Sequence, residues 1–107
     1  MDYSKETEAD TRANRIDPVL AAAGWTSSLI RREVICPGRI QTGGTRGKSL
    51  SCDYVLFYKG QKLAAIEAKR AGLGYEEGVG QAKNYAGKLG CRFACATNGI
   101  DWYLIDM

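Results

Sequence analysis

Asp53, Glu67 and Lys69 are the residues of this chain best suited to chemistry, with thirteen residues between the two acids and one between Glu67 and the lysine. On a β-strand, residues two apart leave the same face, so Glu67 and Lys69 point together. If Lys59-Gly60-Gln61 is a three-residue hairpin loop, Tyr58 pairs with Lys62 and Asp53 falls directly opposite Glu67. Two adjacent carboxylates repel unless a cation lies between them. Their hard oxygens suit Mg²⁺, which keeps several waters and takes one or two carboxylates plus phosphate oxygens. A metal held there polarises a phosphodiester and lowers the pKa of a coordinated water. A neighbouring lysine orients that water and offsets the charge that grows on the phosphorus.

An isolated Glu-x-Lys is ordinarily a salt bridge on a solvated sheet face. The flanking residues argue against that here. Tyr54-Val55-Leu56-Phe57-Tyr58 and Leu63-Ala64-Ala65-Ile66 are nearly continuous apolar runs, which imply a sheet covered on both faces. Charges at the ends of such strands need partners.

Other chemistries are excluded by composition. The chain has no histidine, which removes Ser-His-Asp and Cys-His catalysis. Its four cysteines, Cys36, Cys52, Cys91 and Cys95, include no two-spaced pair, so four reduced thiols are expected in place of a zinc site. Gly43-Gly44-Thr45-Arg46-Gly47-Lys48-Ser49 imitates a phosphate-binding P-loop, but Thr42 stands where the first glycine belongs and a strand follows, not a helix. Net charge is +3, and Arg31 to Lys48 holds five basic residues against Glu33 alone. That glycine-rich stretch is either a solvated loop or a basic arm along nucleic-acid phosphates, with Arg46 and Lys48 at its tip.

The elements that position these residues follow from periodicity. Thr7 to Asp10 forms a capping box, and Ala9, Ala13, Ile16, Leu20 and Ala23 mark one face of a helix that Gly24 ends. Pro18 should kink or split it. Strands are expected at Glu33–Cys36, a short Arg39-Ile40-Gln41, Cys52–Tyr58 and Leu63–Lys69. A second helix runs from about Tyr75 to Leu89 on Val79, Ala82, Ala86 and Leu89. Arg92–Thr97 and Asp101–Asp106 are strands joined by a two-residue Asn98-Gly99 turn. The expected fold is α/β: one domain over residues 1–107, with a mixed central sheet flanked by helices. The chain ends directly after a strand, so a piece of a longer subunit is expected.

Asp53 followed after thirteen residues by Glu67-Ala68-Lys69 resembles the core motif of the PD-(D/E)XK nuclease superfamily, with Cys52 where a proline is usual. More narrowly, Thr7-Glu8-Ala9-Asp10-Thr11-Arg12, Ile16-Asp17-Pro18, Ala23-Gly24-Trp25, Asp53-Tyr54-Val55-Leu56, Ile66-Glu67-Ala68-Lys69, Gln81-Ala82-Lys83-Asn84-Tyr85 and Ala96-Thr97-Asn98-Gly99 resemble, in order, the amino-terminal nuclease domain of type I restriction enzyme R subunits.

The resemblance implies a restriction-endonuclease-like core and a Mg²⁺- or Mn²⁺-dependent cleavage of double-stranded DNA. Asp53, Glu67 and the Ala68 carbonyl become metal ligands, and Lys69 the catalytic lysine. Gln81 and Tyr85 match the family's Gln-x-x-x-Tyr element, four apart on one helical face. Glu8 matches an acid on the first helix, with Glu6 and Asp10 as competitors. ATP use, and assembly with methylation and specificity subunits, belong by the same resemblance to parts outside these residues. Two other classes are a non-catalytic nucleic-acid-binding module, whose signature is a lost carboxylate or lysine, and a docking domain of the same fold. No apolar run reaches the ~18–20 residues that span a bilayer, and Met1 to Glu6 is no signal peptide, so a cytoplasmic protein is expected.

Overall fold

Apolar residues on both sides of the central strands require two covering layers, and a computed structural model, which describes residues 5–36 and 50–107, supplies them. Strands β1 (Ile30–Cys36), β2 (Leu50–Tyr58), β3 (Gln61–Ala68), β4 (Phe93–Thr97) and β5 (Trp102–Asp106) form one sheet in chain order. All neighbours are antiparallel except β3 and β4, which run parallel. A parallel pair needs a crossover. Here it is helix α3 (Val79–Leu89), entered through a 3₁₀ turn at Tyr75–Gly78 and ended by left-handed Gly90. This is the mixed, helix-flanked α/β sheet expected from periodicity.

Helix α3 lays Ala82, Tyr85 and Ala86 over Val55, Ala65, Ala94 and Ala96. The small residues facing it let the helix sit close to the strands. On the other face, Ile16 and Leu20 pack against Tyr54, Leu56, Ala64, Ile66 and Cys95. Cys52, Cys91 and Cys95 are buried thiols outside any disulfide.

The amino-terminal helix departs from its expected pattern. Thr7 and Asp10 make the capping box, but α1 (Glu8–Thr11) passes into a π-helical stretch at Arg12–Ile16 before α2 (Asp17–Ala22) resumes. Pro18 sits in the first turn of α2, where its missing N–H costs no hydrogen bond. Ala9, Ala13 and Ala23 are exposed, while Thr11, Ile16 and Leu20 are buried and Glu8, Arg12 and Arg15 are half-buried. The extra residue of the π-stretch rotates the face turned to the sheet, and polar groups travel with it. Thr11 shows why a polar residue is tolerated there: its hydroxyl donates to Glu6 and accepts the Ala71 N–H at 2.9 Å.

The β2–β3 hairpin reaches the expected register by an unexpected route. Its turn is the two residues Lys59 and Gly60, with φ of +51° and +75° and with Tyr58 paired to Gln61. That moves the pairing one residue from expectation. A bulge then moves it back, because Phe57 opposes Lys62 but Leu56 opposes Ala64, which leaves Leu63 unpaired. The β4–β5 connection is also corrected. Thr97 pairs with Trp102, so four residues, Asn98 to Asp101, make the turn. The Asn98 side chain accepts the N–H groups of Ile100 and Asp101, replacing a tight two-residue turn by an Asx-type one. The expected Arg39–Gln41 strand and the glycine-rich loop with Arg46 and Lys48 lie outside the described residues. Within them, no helix is long and apolar enough to cross a membrane.

Candidate active site

The β2–β3 ladder runs to Tyr54 opposite Ile66, and the same register continued by one residue sets Asp53 opposite Glu67. There the Asp53 carboxylate takes over the role of a ladder acceptor: its Oδ2 accepts the Ala68 N–H at 2.7 Å. On the other side of β3, the Lys69 N–H donates to the Thr97 carbonyl, which carries the parallel pairing one residue past the strand. Both acids are buried, Asp53 at 7% and Glu67 at 6% exposure.

Lys69 follows with its Nζ 3.9 Å from Glu67 Oε1. Its side chain is only 20% exposed, and it extends an internal strand of the sheet. The start of α3 roofs this corner. A Cβ added at Gly78 would lie 3.1 Å from Glu67 Cγ and 3.5 Å from Lys69 Cε, so any larger residue would crowd the Glu67 side chain.

The electrostatics are those of an anion-rich pocket. Burial, then the charge of Asp53, push the Glu67 carboxyl up to about 8 against the pull of Lys69. Asp53 is also raised, by burial first, with the Ala68 N–H and Arg12 opposing. Glu67 Oε2 is buried and has no hydrogen-bond partner among the described residues. Such an oxygen is costly to bury without compensation.

This donor set fits a hard divalent cation. Two carboxylates converge, one oxygen has no partner among the described residues, and both carboxyls stay raised although Arg12 and Lys69 stand beside them. Among the described residues no three or more His, Cys, Asp and Glu side chains gather around one point. A cation here would therefore complete its shell from a carbonyl such as that of Ala68, from water and from substrate oxygens, as Mg²⁺ commonly does.

Of the three first-helix acids, Glu8 faces the site. Its carboxyl is raised by burial and then by Asp53, with Arg12 and Lys69 opposing. Glu6 is engaged by Arg15 and Thr11, and Asp10 by the cap at Thr7. Gln81 and Tyr85 lie on α3 as expected but do not share an environment: Gln81 is exposed, and Tyr85, 3% exposed, is part of the core beneath the helix.

Sequence reasoning missed Arg12 and Glu33. Arg12 Nη1 lies 2.5 Å from Glu33 Oε1 and 3.6 Å from Asp53 Oδ1. The available signal was spacing, since Arg12 follows Glu8 by four residues and so shares its face. Glu33 carried no such signal.

A mixed sheet with a buried acid pair and a lysine at one corner places the chain among α/β domains with a carboxylate–lysine site. Comparison with known proteins narrows this. The model of the family described as type I restriction enzyme R protein N terminus matches residues 39–107. A type I restriction enzyme EcoAI endonuclease subunit of Escherichia coli is 36% identical over 112 residues, covering 99% of this chain and 14% of that protein. A solved fragment of a putative HsdR subunit of a type I restriction enzyme from Vibrio vulnificus superposes with a TM-score of 0.77 at 34% identity, over 92% of this chain and 21% of the other. The chain belongs to the family of type I restriction enzyme R protein N termini, and it spans about a seventh of the length of the E. coli relative.

Proposed function

We propose that the chain is the endonuclease domain of a type I restriction–modification enzyme, hydrolysing phosphodiester bonds of double-stranded DNA with Mg²⁺ or Mn²⁺. The observation that carries this reading is the buried Asp53–Glu67 pair, with Glu67 Oε2 unpartnered and Lys69 3.9 Å from the other oxygen. Asp53, Glu67 and the Ala68 carbonyl would hold the metal, which supplies Lewis acidity and a more acidic bound water. Asp53 is held for that task by the Ala68 N–H. Lys69, confined between Glu67 and Gly78, is placed to donate to the attacking water or to a non-bridging phosphate oxygen. Glu8 borders the site and contributes negative charge to it. Arg46 and Lys48 would lie along the DNA backbone. Tyr85 holds α3 to the sheet, and Gln81 faces solvent on the same helix. ATP-driven translocation and the methylation and specificity subunits belong to the complete enzyme, in the cytoplasm.

The test is plasmid cleavage beside ATPase activity for the complete enzyme carrying Lys69→Ala. Cleavage falls by ~10²–10³, the typical effect of removing one electrostatic stabiliser of the transition state, while ATP hydrolysis persists. Unchanged cleavage would move the assignment to a non-catalytic DNA-binding or docking domain. Joint loss of both activities would indicate misfolding.

A further inference from the structure

Arg12 is drawn in two directions, toward Glu33 at 2.5 Å and toward Asp53 Oδ1 at 3.6 Å. Asp53 Oδ2 already accepts the Ala68 N–H, so Oδ1 has the greater capacity left for a metal, and it is the oxygen the guanidinium faces. Glu33 has a second partner of its own. Its second oxygen accepts the Ser51 hydroxyl at 3.0 Å, and its φ is +53°, in the left-handed region although it lies within β1. A non-glycine residue keeps such a conformation only where its contacts over-determine it, and such strain clusters at functional sites.

We propose that Arg12, braced by Glu33, gates the metal site: its guanidinium guards the free oxygen of Asp53 until an incoming phosphate draws it away. This rests on the reading above that Asp53 and Glu67 hold a divalent cation. A guanidinium and a dication beside one buried oxygen repel each other strongly, because the pocket screens charge poorly. Arg12 is 26% exposed, so its fork can turn outward. A phosphodiester offers it the bidentate partner it prefers. Metal loading is thereby coupled to DNA arrival. Arg12 acts through Asp53 and is a positioning residue.

Mn²⁺ affinity of the DNA-free protein, measured by calorimetry or electron paramagnetic resonance, tests the gate independently of cleavage. Arg12→Gln should tighten Mn²⁺ binding about tenfold, whereas Arg12→Lys, which keeps the charge, should stay within about twofold of the parent. A short duplex with a non-hydrolysable phosphorothioate linkage should tighten Mn²⁺ binding to the parent more than to Arg12→Gln. Glu33→Gln, by leaving Arg12 to Asp53 alone, should weaken Mn²⁺ binding in the parent and not in the Arg12→Gln background. Equal or weaker Mn²⁺ binding by a natively folded Arg12→Gln overturns the gate, as does an equal Glu33→Gln loss in both backgrounds. If Asp53→Asn and Glu67→Gln leave Mn²⁺ affinity unchanged, the metal-site reading itself fails. If those two variants bind weakly while Arg12→Gln matches the parent, the gate alone fails.

Discussion

Glu67 is buried beside Asp53 with one oxygen unpartnered among the described residues and its carboxyl pushed up to about 8, well above its ordinary 4.5. The folded chain therefore holds this proton more tightly than the unfolded chain does. Stability is fully present below about 4.5 and declines as the pH rises toward 8, where the folded state must carry a buried anion. A neutral side chain of the same shape avoids that penalty. Glu67→Gln in metal-free protein is expected to raise the thermal midpoint near pH 8 by about 4–8 °C, which corresponds to ~1 kcal/mol in a domain of this size. The same variant should lose Mn²⁺ binding, a trade of function against stability that functional sites commonly show. Thermal melts of parent and variant at the two ends of that pH range measure it. A variant less stable than the parent near pH 8 would mean that Glu67 is compensated by a group other than Lys69.

At the scale of elements, the site is a corner where β2 and β3 part and the start of α3 closes above them. Gly78 sets how near that roof comes, at φ −102° and ψ −5°, a conformation open to any residue. Gly78→Ala is therefore tolerated by the backbone and resisted by the site, since the new Cβ meets Glu67 Cγ at 3.1 Å. Displacing Glu67 and Lys69 by a fraction of an ångström should lower cleavage by up to ~10²-fold, as small misplacements of catalytic groups do. The melting temperature should move by only a few degrees, because the Glu67 and Lys69 side chains need give by only a few tenths of an ångström. Cleavage and melting of this one variant are the measurements. Wild-type cleavage would show that α3 yields and that the roof does not position the acids.

For the whole molecule, the proposed metal and a proton would compete for the same oxygens. A ligand that binds only the folded state stabilises it by RT ln(1 + [L]/Kd), and a cation binds carboxylates only when they are ionised. Mg²⁺ or Mn²⁺ should thus raise the melting temperature most near pH 8 and little near pH 4.5, the ordinary value for Glu67. The decline of stability with pH expected of the metal-free protein should flatten in saturating metal. Differential scanning fluorimetry across that range, with and without Mn²⁺, checks both statements. A metal-induced shift independent of pH would place the cation away from Asp53 and Glu67.

The local pattern of residue types determined the element order, the two covered sheet faces and the pairing of Asp53 with Glu67, because side-chain alternation and turn chemistry are short-range. Even the hairpin shows this, since burial of Val55 with Ala65 and of Tyr54 with Ile66 requires one register whichever residues absorb the slack. The two-residue turn and the bulge at Leu63 were beyond that reasoning, being two local choices with a single net constraint. Tertiary structure alone decided the environment of each charge. Which acid of the first helix faces the sheet depends on a π-stretch that no periodicity announced. Arg12 meets Asp53 across 41 residues of sequence, and Glu33 meets Arg12 from a left-handed backbone. Burial and the nearness of other charges set a carboxylate's proton affinity, and both are properties of packing between distant segments.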